Sequence, residues 1–248
     1  MRISLDAPKR AHYHHGDLRH ALLQAALKLV ARKGVEGFSL REAARTVGVS
    51  AAAAYRHFED RSALLSALAI DGLGRLAGEM EMAIARAPGA PGTPARIVAD
   101  LVAIGAAYVE FAVANPSHFR VMFGPWCEHP DLGALPPGVL PEGGRDPYQL
   151  LVDGLDGMVR AGAITPAARE GAEIACWAVV HGLASLLVEG SIELTAAERA
   201  RTYGVALRTV LLGLGVTPAL LAPSAAPPSA EPRGRKAQRR AACENRRS

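Results

Sequence analysis

The stretch FSLREAARTVGVSAAAAYRHF, from Phe38 to Phe58, predicts two short helices joined by a tight turn. Ser39 is placed to cap the first helix, and Glu42 three residues later has the spacing of a capping box. Gly48 accepts the positive φ that a sharp turn requires, and Ser50 can cap the helix that follows. Two helices with a glycine-containing turn form a helix-turn-helix, whose second helix can lie in a DNA major groove.

The composition of the whole chain favours an all-α protein. The chain has 248 residues, of which half are hydrophobic and only 5% are aromatic. Alanine, leucine and glycine are abundant, while alternating runs of β-branched residues are scarce. The helical patterns along the chain add up to about nine helices.

Cysteine usage and hydropathy predict a protein of the reducing cytoplasm. Cys127, Cys176 and Cys243 are odd in number and far apart, so neither a disulfide framework nor a zinc site is expected. His14 and His15 are adjacent but have no cysteine near them, so we predict no metal. The N-terminus lacks the apolar core of a signal peptide, and we expect no membrane span because no uncharged apolar stretch of about 20 residues is evident.

The net charge of +4 is unevenly distributed along the chain. Residues 1–61 hold 11 Lys and Arg against 6 Asp and Glu, and residues 222–248 hold 7 against 2, so each segment carries +5. Residues 62–221 hold 10 against 16 and carry −6. A basic end suits phosphate contact, so we expect DNA to bind at the N-terminal end. The basic C-terminal segment either adds nonspecific DNA affinity or only solubilises the chain.

Helix breakers and composition divide the chain into four segments. Residues 1–15 are predicted to form a flexible basic arm, and residues 16–61 a three-helix domain that contains the helix-turn-helix. Residues 62–216 are predicted to form a larger helical domain. Residues 217–248 are Ala/Pro-rich and then Arg-rich, and we expect them to be disordered.

Capping residues mark the helices of the larger domain. Asp60, Thr93 and Thr195 each precede a helical pattern and are good N-caps. Thr165–Pro166 also has the composition of a helix start, because proline suits the first helical position. The helix that begins there is expected to continue unbroken to about Glu189.

The first 65 residues or so resemble the DNA-binding domain of TetR-type transcriptional regulators. The residues that carry this resemblance are Gly34, Phe38–Ser39, Ala43–Ala44, Gly48–Val49–Ser50, Tyr55–Arg56–His57–Phe58, Arg61 and Leu64–Leu65. The remainder resembles one C-terminal subclass of that family, whose Trp-x3-His-Gly signature is here Trp177, His181 and Gly182.

The resemblance implies a cytoplasmic homodimer with an N-terminal DNA-binding domain and a C-terminal ligand-binding and dimerisation domain. It implies that the last two helices pair with those of a second copy in a four-helix bundle. The DNA partner it implies is a palindromic double-stranded operator. It also implies no catalysis and no required cofactor.

By this resemblance, Tyr55, His57 and Arg61 contact DNA phosphates. The alternative is a packing tyrosine with a solvated histidine and arginine. Ser39 and Ser50 are expected at the same interface, because a helix N-terminus attracts phosphate while a serine caps it.

The second helix of the motif departs from the family pattern by carrying a run of alanines. The run consists of Ala51, Ala52, Ala53 and Ala54, of which we place the first three at the DNA. An alanine offers a base only a methyl contact with thymine, so direct readout by this helix is expected to be sparse. Arg41, Arg56 and the N-terminal arm are therefore candidates for base or phosphate contact, the alternative for both arginines being a solvated face. We expect specificity to depend on Arg41, the arm and DNA shape.

Apolar side chains of the larger domain are candidates for a ligand cavity. The set comprises Tyr108, Phe111, Met122, Trp126, Met158 and Trp177. His181 lies on the same helical face as Trp177, where it either anchors a ligand or is a satisfied buried histidine. No charged cluster marks a charged inducer, so we expect a small hydrophobic or aromatic molecule.

These observations predict a ligand-responsive DNA-binding regulator, with a repressor released by its inducer as the expected mode. An activator, or a constitutive DNA-binding protein without a ligand, stays open as an alternative. A helical enzyme is the remote alternative, because no nucleophile–base pair or metal spacing stands out in the sequence.

Overall fold

The computed structural model of the chain describes residues 15–124, 140 and 144–221. These residues form ten α-helices and no strand, which confirms the all-α prediction. The predicted arm before His15, the basic segment after Leu221, and Trp126 lie outside the described residues.

The helices follow one another in chain order with short connections. They are α1 (His15–Lys33), α2 (Leu40–Val47), α3 (Ala51–Tyr55), α4 (Arg61–Arg86), α5 (Pro94–Ala114), α6 (Pro116–Met122), α7 (Pro147–Arg160), α8 (Pro166–Arg169), α9 (Ala172–Val188) and α10 (Ala196–Gly213). A 3-10 turn, Pro218–Leu221, follows α10.

Side-chain oxygens cap most of these helices. Each capping residue accepts a hydrogen bond from the backbone N–H three residues later, which satisfies one of the free donors at the helix start. The capping residues are Ser39, Ser50, Asp60, Thr93, Asp146, Thr165 and Thr195. Thr195 and Glu198 form a complete capping box at the start of α10.

The capping box predicted at Ser39 forms only in part. The Ser39 hydroxyl accepts a hydrogen bond from the backbone N–H of Glu42 at 3.2 Å. The Glu42 carboxylate accepts from Lys33 Nζ at 2.6 Å, so it ties α2 to the end of α1.

Two predictions for the C-terminal third are wrong in detail. The single helix predicted from Thr165–Pro166 to about Glu189 is two helices, α8 and α9. Gly171 separates them because it adopts a left-handed conformation with φ of 72°. The 3-10 turn at Pro218–Leu221 is ordered and contacts α5, although this segment was expected to be disordered.

α5 lies at the centre of the larger domain, where it packs against α4, α7, α9 and α10. Gly105 on α5 allows the ring of Tyr203 on α10 to lie against its backbone. The Tyr203 hydroxyl donates to the carbonyl oxygen of Val102 at 2.6 Å. The hydrophobic core is continuous from α1 through α4 to α10.

α5 is the one helix among the described residues that is long and apolar enough to cross a membrane, with a mean hydropathy of 1.9 over its best window. A helix of this length and hydropathy was not expected from the sequence. Its composition has another explanation in the fold, because a helix enclosed by other helices is apolar around most of its circumference.

The close approach at Gly105 gives a stability prediction. A methyl group on Gly105 would overlap the Tyr203 hydroxyl. Because the ring is rigid and its hydroxyl is hydrogen-bonded, we expect Gly105→Ala to lower the free energy of unfolding by about 1–3 kcal/mol. Urea denaturation measures the change.

The matched control is Gly78→Ala in α4, where the added methyl meets open space. Replacing this exposed helical glycine by alanine should stabilise the protein by up to about 1 kcal/mol. If both variants were equally stable, the packing argument for Gly105 would be wrong.

Candidate nucleic-acid interface and apolar cavity

The turn between α2 and α3 has the geometry of a helix-turn-helix. Gly48 has φ of 81°, a conformation that glycine adopts without steric cost. The backbone N–H groups of Gly48 and Val49 donate back to the end of α2, at 3.1 and 3.0 Å. Ala54 is fully buried and Phe58 nearly so, and these two residues fix α3 against the core.

Most of the residues predicted to contact DNA are exposed together on this motif. We define the motif surface as Ser39, Arg41, Ser50, Ala52, Tyr55 and Arg56, all of which are exposed. Ala51, Ala53 and His57 are half-buried, and His57 lies in the turn just after α3 ends. Tyr55 keeps 45% of its surface exposed, which is high for a large aromatic side chain.

Arg61 is positioned differently from the other predicted DNA contacts. Its Nη2 donates to the carbonyl oxygen of Val35, and its guanidinium lies 5.5 Å from the centre of the Phe38 ring. Its Nε is buried and has no hydrogen-bond partner among the described residues. Arg61 therefore ties the start of α4 to the connection between α1 and α2, a role that the sequence did not reveal.

An apolar cavity of about 70 Å³ lies inside the larger domain. Its lining residues come from α4, α5, α7, α9, α10 and the ends of the connection before α7. They are Leu73, Leu76, Met80, Leu101, Ile104, Gly105, Tyr108, Phe123, Asp146, Pro147, Tyr148, Leu151, Cys176, Trp177, Val180 and Leu207.

Two of the predicted ligand contacts, Tyr108 and Trp177, line this cavity. Phe111, Met122 and Met158 are buried in the core but do not line it. The contribution of α4 was missed, although Leu73, Leu76 and Met80 have the three- and four-residue spacing of one helical face.

A polar trio is formed by Tyr108 and Trp177, which line the cavity, and by His181, which does not line it but contacts Tyr108. The Tyr108 hydroxyl is 2.8 Å from His181 Nδ1, and Trp177 Nε1 donates to the Tyr108 oxygen at 3.4 Å. Burial raises the pKa of Tyr108 and lowers the pKa of His181. Both shifts favour the neutral forms, so the trio carries no charge at neutral pH.

α6 connects the cavity wall at Tyr108 to the helices nearer the motif. The Phe123 ring, just after α6, lies 4.8 Å from the His181 ring and 6.0 Å from the Tyr108 ring. On α6 itself, the buried His118 places Nε2 3.1 Å from the carboxylate of Asp71 on α4. α6 also contacts α1, so it touches both the larger domain and the three-helix N-terminal domain.

Asp71 is the charged centre of the contact between α4 and α6. Its carboxylate accepts a hydrogen bond from Arg75 Nε at 2.7 Å and lies beside His118. The hydrogen bond with His118, followed by that from Arg75, lowers the pKa of Asp71 to about 2. Nowhere in the described part of the chain do three potential metal-ligating side chains cluster.

The last two long helices present an exposed apolar face. We define it by Ile174 and Leu186 on α9 and by Val205 and Leu212 on α10. Val205 keeps 68% of its surface exposed. The glycines of these helices leave open space beside the backbone, which would allow another helix to approach closely.

Comparisons with family models agree with this division into two parts. A model described as bacterial regulatory proteins of the tetR family matches residues 22–68. A model described as a tetracyclin repressor-like C-terminal domain matches residues 101–210. A search of curated proteins found no match.

Comparisons with solved structures extend over most of the chain. A protein of unknown function from Rhodococcus sp. RHA1 is 34% identical, with a TM-score of 0.64, over 83% of this chain and 99% of that one. A putative transcriptional regulator from Pseudomonas aeruginosa PAO1 is 20% identical, with a TM-score of 0.61, over 82% and 94% of the two chains. A TetR variant from Acinetobacter baumannii AYE in complex with minocycline is 17% identical, with a TM-score of 0.54, over 82% and 97%.

The lowered pKa of Asp71 gives a prediction about acid stability. Because the folded-state pKa lies below the ordinary value of 3.8, the ionised carboxylate stabilises the fold above about pH 4. Asp71→Asn should cost about 1–2 kcal/mol there. The difference from the parent protein should shrink as the pH falls from 4 towards 2, because Asp71 is then increasingly protonated in both states.

Unfolding free energies at several pH values test this expectation. Glu79→Gln, which removes an exposed carboxylate from the same helix, serves as the control for losing one charge. A cost of Asp71→Asn that stayed constant down to pH 2 would show that the carboxylate charge is irrelevant.

Proposed function

The chain belongs to the TetR family of bacterial transcriptional regulators, and we propose that it is a dimeric repressor that a small hydrophobic molecule releases from its operator. Regulators of this family bind DNA through the helix-turn-helix domain. The observation that carries the proposal is an apolar cavity in the larger domain. α6 joins one wall of that cavity to the helices that hold the motif. The proposed location is the cytoplasm, where bacterial DNA lies.

The motif surface is the proposed contact with the operator. Ser39 and Ser50 place two capped helix starts at this surface, and Tyr55, His57 and Arg56 follow at the end of α3. Such groups bind phosphates and fix the position of the protein on the duplex. The small side chains of Ala51, Ala52 and Ala53 let α3 approach the floor of the major groove without supplying polar base contacts.

The exposed apolar face on α9 and α10 is the proposed dimer interface. Exposed apolar side chains gathered on two helices that contact each other are typical of a surface that a partner covers. A second copy that packs the same face against it forms a four-helix bundle with two-fold symmetry. The two copies of α3 would then enter successive major grooves, roughly 34–36 Å apart.

Release of DNA is proposed to follow from a shift of α6 against α4. A ligand in the cavity contacts Phe123, which immediately follows α6. His118 and Met122 join α6 to α4 at Asp71 and Gly72. At the start of α4, about three turns before these contacts, Arg61 holds the connection that leads into α2. The ligand acts only to the extent that it binds the DNA-free arrangement more tightly than the DNA-bound one.

The proposed dimer is tested by placing a charge on the exposed apolar face. We expect Val205→Glu to convert the dimer to a monomer, because a carboxylate in the middle of an apolar interface loses its hydration. Sedimentation velocity measures the change. Met82→Glu is the matched control, because Met82 is also an exposed apolar residue but lies on α4. Equal dimer fractions in the two variants would contradict the proposed interface.

The proposed DNA contact is tested by selecting bound sequences from random DNA with the purified protein. We expect a palindromic site to be enriched. With that site in hand, Arg41→Ala should weaken operator binding by about tenfold or more, and binding to random DNA by less, because a base contact is worth about 1–3 kcal/mol.

Arg86→Ala is the control for this DNA-binding test, since it removes the same charge from the exposed end of α4, away from the motif. Operator affinity should be nearly unchanged in that variant. An equal loss on operator and random DNA in Arg41→Ala would mean that Arg41 contacts only phosphates.

A further inference from the structure

We infer that the cavity binds an uncharged, mainly hydrocarbon molecule through one oxygen atom that accepts a hydrogen bond from the Tyr108 hydroxyl. The inference rests on the proposed function and names the chemical class of the ligand. Its basis is the hydrogen-bonding arrangement of the polar trio and the apolar character of the remaining lining.

In one tautomer of His181, the hydrogen atoms of the trio leave one donor for a ligand. The indole N–H of Trp177 can only donate, and it donates to the Tyr108 oxygen. The neutral imidazole of His181 carries one hydrogen, on either Nδ1 or Nε2. When Nδ1 carries it, His181 also donates to the Tyr108 oxygen. The Tyr108 hydroxyl then accepts two hydrogen bonds, and its own hydrogen is free to donate.

This arrangement makes the Tyr108 hydroxyl a good donor. An oxygen that accepts hydrogen bonds becomes polarised and donates its own hydrogen more strongly. The Tyr108 hydroxyl lies among apolar side chains. There, a hydroxyl hydrogen without an acceptor is costly, and a ligand oxygen that accepts it removes that cost. A ligand acceptor therefore selects the tautomer of His181 that donates to Tyr108.

The charged side chains at and next to the cavity make hydrogen bonds or ion pairs within the protein. Asp146 is the one charged side chain among the described lining residues. It caps α7 by accepting a hydrogen bond from the Gln149 N–H at 2.8 Å. The neighbouring Arg145 is paired with Glu81 at 3.0 Å. An anionic ligand would lose its hydration without meeting a cation among the described lining residues, and a cationic ligand would compete with the cap of α7 for Asp146.

The size of the cavity points to a ligand that displaces a wall residue. At about 70 Å³, the cavity is smaller than the roughly 150 Å³ that accommodates a benzene ring in a protein core. Among the half-buried lining residues, Phe123 is the one that directly follows α6. Its displacement would couple occupancy of the cavity to the position of α6.

Four small aromatic probes of similar size test the inference by calorimetry with the purified protein. They are butyrophenone, butylbenzene, phenylbutyrate and benzyltrimethylammonium. We expect the ketone to bind about fivefold more tightly than the hydrocarbon, the gain from one hydrogen bond. The carboxylate and the quaternary ammonium ion should both bind more weakly than the hydrocarbon.

Variants connect the preference for the ketone to the Tyr108 hydroxyl. Tyr108→Phe should bind the ketone and the hydrocarbon equally. Tyr203→Phe is the matched control, because it removes another buried hydroxyl that contacts α5 but does not line the cavity; it should keep the preference. Trp177→Phe, which retains an aromatic ring but loses the N–H, should reduce the preference and reports on the trio even if Tyr108→Phe unfolds.

The binding measurements test the inference, and operator affinity at saturation tests the proposed release mechanism. The inference is overturned if the ketone fails to bind, if it shows no preference over the hydrocarbon, or if either charged probe binds most tightly. If the ketone binds with the expected preference but leaves operator affinity unchanged at saturation, the inference stands and the proposed release mechanism fails.

Discussion

The enclosure of α5 is the constraint on which the larger domain depends. This helix is apolar enough to resemble a membrane span, yet it is surrounded by α4, α7, α9 and α10. An apolar helix in water must be covered around most of its circumference, and only several helices from distant parts of the chain can do so. The need to cover α5 therefore determines where the other helices lie.

Small residues on and around α5 decide how closely its neighbours approach. Gly105 leaves room for Tyr203, and Gly154 on α7 lies so close to Leu101 that a methyl group there would crowd the Leu101 side chain. Gly72 similarly admits Met122 at the contact between α4 and α6. The apolar cavity lies beside the same helix, with Gly105 and Tyr108 of α5 and Trp177 of α9 among its lining residues. The helices that cover α5 therefore also form the walls of the cavity.

Local chemistry made the starts of six of the ten described helices predictable. Capping serines, threonines and aspartates act within three residues of their own position, so the sequence contains all the information they need. The motif was predictable for the same reason, since Gly48 and Ser50 specify the turn directly. The break at Gly171 was missed because a helical pattern on both sides masked a glycine that adopts a left-handed conformation.

The cavity and the orientation of Arg61 were not predictable in the same way. Which of two buried aromatic residues lines a cavity depends on how helices far apart in sequence are rotated, so Tyr108 and Phe111 could not be distinguished. Arg61 has the position of a phosphate contact, but its guanidinium reaches the carbonyl of Val35 and the ring of Phe38. Both outcomes depend on tertiary contacts that no local pattern encodes.

The burial of the alanines in α3 shows what the alanine run does in the structure. Ala54 is fully buried while Ala52 is exposed, so one five-residue helix uses the same small side chain on both faces. On the inner face, alanine lets α3 lie close to the core. On the outer face, it allows close approach to a groove while adding no polar contact. The polar groups proposed to discriminate between DNA sequences then lie beside the alanine run. Arg41 is on α2, and Tyr55 and Arg56 are at the end of α3. Under the proposed DNA contact, recognition depends on the arrangement of α2 relative to α3. The contacts of α1 with α2 and with α4 connect that arrangement to the larger domain.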